Sequence, residues 1–181
     1  MPIPGVIASS ISGHLQTGNF FLIQQLSPSA VSTVTFSSIP ATYKHLMMRF
    51  NLVNSYSGDT YRIQFNSDTS TANYVTHTLY GNGSTVGAAG AASGTFGFIR
   101  LFYSSSVITT YPNIGIVDVF DYTNTNKNKT VKALVGANNN SSTGEIEVDS
   151  GVWLSTAAVT SLTFSAITGP LTGTISLYGS N

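Results

Sequence analysis

From Tyr43 to Val53 apolar and polar residues take turns along the chain. Leu46, Met48, Phe50 and Leu52 fall on one side, with Lys44 at the strand's edge, and His45, Met47, Arg49 and Asn51 fall on the other. A period of two marks a strand with one buried face. Ser57-Gly58-Asp59 then turns the chain, and Tyr61, Ile63 and Phe65 alternate with Arg62 and Gln64 over Thr60–Asn66. The two segments predict an antiparallel hairpin. Further strands are predicted over 20–26, 34–36, 73–80, 96–103, 129–137, 146–154, 159–167 and 174–178, with 114–122 as a wholly buried one. The Gly- and Ala-rich stretch 86–94 predicts a flexible loop, as does the Asn- and Ser-rich stretch 138–142. Helical periodicity is nowhere sustained; Ser155-Thr156-Ala157-Ala158 alone suits a single helical turn.

About ten short strands with regularly spaced turn signals define an all-β chain. The expected fold is a single antiparallel β-sandwich, jelly-roll-like, formed by residues 20–181. Residues 1–19 are expected to form an extended N-terminal arm, because Pro2, Pro4, Gly5, Gly13 and Gly18 interrupt any regular element; a frayed terminus is the alternative. The arm carries Ile3, Val6, Ile7, Ile11 and Leu15, too apolar for a plain linker. Those five are its expected subunit-contact residues, since apolar side chains on an unfolded arm need a partner surface.

Charge narrows the function. Only 8% of residues are charged, and seven basic residues balance seven acidic ones; ordinary globular proteins carry about 25%. Nucleic-acid binding needs several Lys or Arg against phosphates, so no nucleic-acid partner is expected. No apolar run is long enough to span a bilayer, and no secretory segment follows Met1-Pro2-Ile3-Pro4. The expectation is a soluble chain with no membrane partner. A surface with net charge near zero tends to associate, which suits a subunit that meets other subunits or a neutral outer coat; the composition equally suits an ordinary secreted β-protein with a Ser/Thr/Asn surface.

Catalytic chemistry is sparse. His14, His45 and His77 are the only histidines and form no metal-binding i, i+4 pair; there is no cysteine. His45 and His77 lie on predicted strands and have room to converge. Among the seven acids, Glu145 and Glu147 share one strand face and are expected to be solvated, and Asp118 and Asp121 are expected to anchor the turn Thr123-Asn124-Thr125-Asn126. Glycoside hydrolysis needs two facing carboxylates in a cleft, and no such pair stands out. No catalytic residue, cofactor or metal is therefore expected. Asn66 and Asp68 form an N-x-D pair, a weak calcium candidate by oxygen chemistry alone. Tyr56, Tyr103 and Tyr111 lie near loops and are candidate ligand-facing aromatics for a carbohydrate; Trp153 reads as core.

Four stretches together carry a resemblance. They are Phe36–Leu46; Phe65–Asp68 with Tyr74 and Leu79–Gly83; Asp118–Lys127 with Lys129–Lys132; and Trp153–Leu162. Over roughly residues 30–181 the chain resembles small structural (virion) proteins of tailed bacteriophages of the cyanophage and aquatic type. The resemblance implies a particle component located in the virion and brings no catalytic motif. The leading expectation is a non-enzymatic capsid decoration (cement) protein, a homotrimer with the major capsid protein as its partner. The alternative is a tail or fibre appendage module that binds host-surface carbohydrate, and a hydrolase on a jelly-roll scaffold is the third.

Overall fold

The computed structural model describes residues 19–56, 58–102, 111–138 and 144–181. The arm residues Ile3, Val6, Ile7, Ile11 and Leu15, and Tyr103, lie outside the described residues. Twelve strands run in chain order: β1 Phe20–Leu26, β2 Thr33–Phe36, β3 His45–Asn54, β4 Tyr61–Phe65, β5 Tyr74–Gly81, β6 Val86–Ala91, β7 Ile99–Leu101, β8 Asn113–Phe120, β9 Lys129–Asn138, β10 Gly144–Trp153, β11 Leu162–Ala166 and β12 Leu171–Ser180. Among the described residues the one helical element is a single 3-10 turn, Thr71–Asn73. All pairings are antiparallel. They build an eight-stranded sheet, β1-β12-β3-β8-β9-β10-β5-β6, packed on a four-stranded sheet, β2-β11-β4-β7. The molecule is an all-β sandwich.

The chain steps between sheets. β1, β3, β8 and β12 belong to the large sheet; β2, β4, β7 and β11 belong to the small one. The hairpins β5–β6 and β9–β10 stay within the large sheet and join each other through β5 and β10, widening it by four strands. This corrects the expected β3–β4 hairpin. β3 pairs with β12 and β8, whereas β4 pairs with β11 and β7, so the chain changes sheet between Asn54 and Tyr61. The stretch 86–94, expected as a loop, supplies the edge strand β6, whose glycines let Tyr80 and His77 lie close over it. Ser155–Ala158 is irregular rather than a helical turn.

The inward positions of β3, Leu46, Met48, Phe50 and Leu52, are buried as their alternation requires, and so are Tyr61, Ile63 and Phe65 of β4. Phe50 meets Phe164 and Tyr61, and Tyr61 meets Phe102, all with ring centroids under 6 Å apart. Trp153 packs on Phe65 at 5.5 Å and belongs to the core. Each fully buried large apolar side chain contributes about 1.5–3 kcal/mol, and well-placed ring pairs add about 0.5–1.5 kcal/mol. Two buried ions anchor the connections. Asp59, at the crossing from β3 to β4, accepts from Asn54 and from the backbone N–H groups of Thr60, Ile167, Thr168 and Gly169. Lys129, fully enclosed at the start of β9, donates to the carbonyls of Asn124, Lys127 and Thr156.

Candidate functional site

The large sheet wears an apolar coat on the side away from the core. Register sets side by side the outward positions Ile116, Leu134, Val148 and Leu79, and beside them Ile114, Gly136, Ile146, Gly81 and Val86. Ile114, Ile146, Leu79 and Val86 are each more than half exposed, and Ile116, Leu134 and Val148 are exposed as well. A monomeric soluble protein rarely shows so contiguous an apolar surface without a use for it. The next outward row is polar: Asp118 faces Lys132 directly, followed by Ser150 and His77.

A hollow of about 600 Å³ lies within the apolar rows. Gly136 provides its floor, because it stands opposite both Ile114 and Ile146 and brings no side chain between them. Ile116 and Leu134 line it, with Arg49 beside Ile116 on the adjacent strand β3. The expectation that Ile114–Tyr122 is wholly buried is thus corrected: Val117, Val119 and Tyr122 face the core, whereas Ile114, Ile116 and Phe120 face out.

The opposite face of β10 is acidic, which overturns the expectation of a solvated Glu147, while Glu145 is half-buried. Glu147 and Asp149 are buried, and Ile146 and Val148 point outward in their place. Thr78, directly across on β5, donates to Asp149 Oδ1 at 2.5 Å. Asp149 Oδ2 is buried without a hydrogen-bond partner among the described residues. Burial pushes the Asp149 carboxyl up to about 7, against the Thr78 hydrogen bond and the Arg100 charge, which pull it down. The folded chain therefore binds this proton more tightly than the unfolded chain, where an aspartate titrates near 3.9. The stability this confers is complete below about pH 4 and is lost as pH rises through about 7. Asp149→Asn should raise the thermal midpoint at pH 8 by an amount worth a few kcal/mol, on the order of the pKa displacement, and leave it nearly unchanged at pH 4. A variant whose advantage did not grow with pH would show that Asp149 is not the titrating group.

The residues singled out from the sequence are scattered or already occupied. Asn66 uses its carbonyl on Thr160 and Ser161 and its amide on Ala158. Asp68 accepts from Trp153 Nε1, Asn73 and Ser70. Burial raises the Asp68 carboxyl, but these three donors outweigh it and hold the group below its usual range. The pair staples the β4–β5 connection to the core and offers no open ligand set. Among the described residues no three His, Cys, Asp or Glu side chains gather as metal ligands. His45 and His77 lie four strands apart, about 19 Å at the usual strand spacing, and do not converge. Asp121 holds the turn that follows β8, through its backbone carbonyl to Asn124 N and through its carboxylate to Lys127. Tyr56 and Tyr111 are exposed, and the β3–β8 register brings them to one end of the sheet.

No protein-family model, curated protein or solved structure matches the chain.

Proposed function

We propose that this protein is a non-enzymatic structural subunit that works by assembling into a larger particle. The apolar outer face of β5, β8, β9 and β10 carries the reading. It is too continuous to be indifferent to water, and the near absence of charge removes the usual brake on association. Together with the resemblance to tailed-phage structural proteins, this favours a virion component, and within the virion a decoration protein of the capsid that binds the major capsid protein and itself as a trimer. The strand order supports a jelly-roll body for such a subunit: β1-β12-β3-β8 faces β2-β11-β4-β7 with the chain stepping between them, and the two extra hairpins are additions to one sheet. The exposed pair Tyr56 and Tyr111 favours the second reading, a carbohydrate-binding appendage module.

Sedimentation velocity over a concentration series tests the first reading. Discrete oligomers should appear at micromolar protein and dissociate on dilution. A chain that stays monomeric up to millimolar concentration would overturn the proposal.

A further inference from the structure

We infer that residues 1–18 of one copy seat in the Gly136 hollow of a neighbouring copy. The inference rests on the assembly reading above and gives that assembly its contact.

The hollow asks for an uncharged apolar guest. Ile114, Ile116, Leu134 and Ile146 line it, together with Arg49 of the neighbouring strand β3; Glu145 meets Gly136 through its backbone carbonyl. Gly136 leaves room there for a side chain. A Cβ built there would meet only the Glu145 carbonyl oxygen, at 3.5 Å.

The N-terminal segment has the matching chemistry. Its eighteen residues contain no Asp, Glu, Lys or Arg, and they include Ile3, Val6, Ile7, Ile11 and Leu15. Burial of such side chains is worth about 1.5–3 kcal/mol each, and ordering the backbone costs about 1–2 kcal/mol per residue. Such a segment therefore settles only where several of its side chains are covered at once.

Where the segment joins the fold selects a neighbour's hollow over its own. It enters at Phe20, the first residue of the edge strand β1, and Phe20 is level in the ladder with Ser180, His45 and Phe120. The hollow is level with Asn51 and Ile114, about six residues further along the ladder, or about 20 Å, and four strands across, about 19 Å. Traced back to Phe20, β1 points away from the hollow. To reach its own, the segment would have to reverse and cross β12, β3 and β8. A fully extended segment of this length spans about 60 Å, ample to reach an adjacent copy straight ahead.

The chain has no cysteine, so single thiols report cleanly. Two differently tagged full-length proteins, one Ile7→Cys and one Gly136→Cys, are mixed and oxidised. The expected product is the mixed disulfide between copies, suppressed by excess synthetic peptide of residues 1–18. Gly136→Trp, which fills the hollow, and Leu134→Lys, which charges its exposed wall, should each weaken self-association at least tenfold in sedimentation, with circular dichroism unchanged. Cross-linking confined to a single chain in a third protein that carries both Ile7→Cys and Gly136→Cys, or no cross-link in the mixture, would overturn the inference. So would wild-type affinity in both filled and charged variants. If wild type assembles while these variants assemble equally well, the docking inference fails and the assembly reading stands. If wild type never assembles, both fail.

Discussion

Asp59→Ala is expected to cost about 4 kcal/mol of folding stability, seen as a lower urea midpoint with an unchanged slope. The carboxylate is 3% exposed and gathers donors from three parts of the chain. Oδ1 takes the N–H groups of Thr60 and Ile167; Oδ2 takes Gly169 N–H and the Asn54 amide; Thr168 N–H is shared. Hydrogen bonds to a charged group contribute about 1.5–3 kcal/mol, and each buried donor left unpaired costs about 1–3 kcal/mol. Relaxation and water entry keep these from simply adding. Asp59→Asn should fall between wild type and alanine, since an amide accepts at one oxygen only. A loss under about 1 kcal/mol for the alanine variant would show that the crossing between sheets does not depend on this carboxylate.

Lys129→Met should cost about 3 kcal/mol or more, again read from urea unfolding. Methionine fills much the same volume but cannot donate, so the carbonyls of Asn124, Lys127 and Thr156 lose a common partner inside the fold. The three carbonyls belong to the β8–β9 turn and to the segment after β10. Their release should loosen both and speed hydrogen exchange there. Lys132→Met, on the exposed face of the same strand, is the control and should change stability by less than about 0.5 kcal/mol. Equal effects from the two substitutions would remove any special role for Lys129.

The alternation in β3 and β4 was legible because both strands carry large apolar residues strictly on one side. The same rule failed on β10, where apolar Ile146 and Val148 face out and Glu147 and Asp149 face in. A period of two divides a strand into two faces without saying which one is covered. Counting back from Trp153 supplies the missing parity. Trp153 must face the core, and Gly151 shares its side so that Ile99 can approach; a Cβ there would meet Ile99 at 2.6 Å. Residues 149 and 147 follow inward. The hollow was invisible for a related reason: Gly136 and Ile114 are 22 positions apart in sequence and meet only through the β8–β9 ladder. β6 was misread because Gly and Ala carry little strand preference of their own, and pairing with β5 overrides it. The sheet change between β3 and β4 left no local mark except Asp59, whose partners at 167–169 are remote in sequence.

The placement of β12 between β1 and β3 governs the order in which the fold closes. Among the described residues β1 pairs with β12 alone, and β3 keeps one ladder unfilled until residues 171–180 arrive. Contacts this far apart in sequence slow folding, because the loop must be closed before the pairing rewards it. Growing chains that have not yet made β12 therefore hold an open gap in the middle of the larger sheet. The fold is completed all at once, when that last strand zips in, and a chain cut before Leu171 should remain with chaperones or proteases.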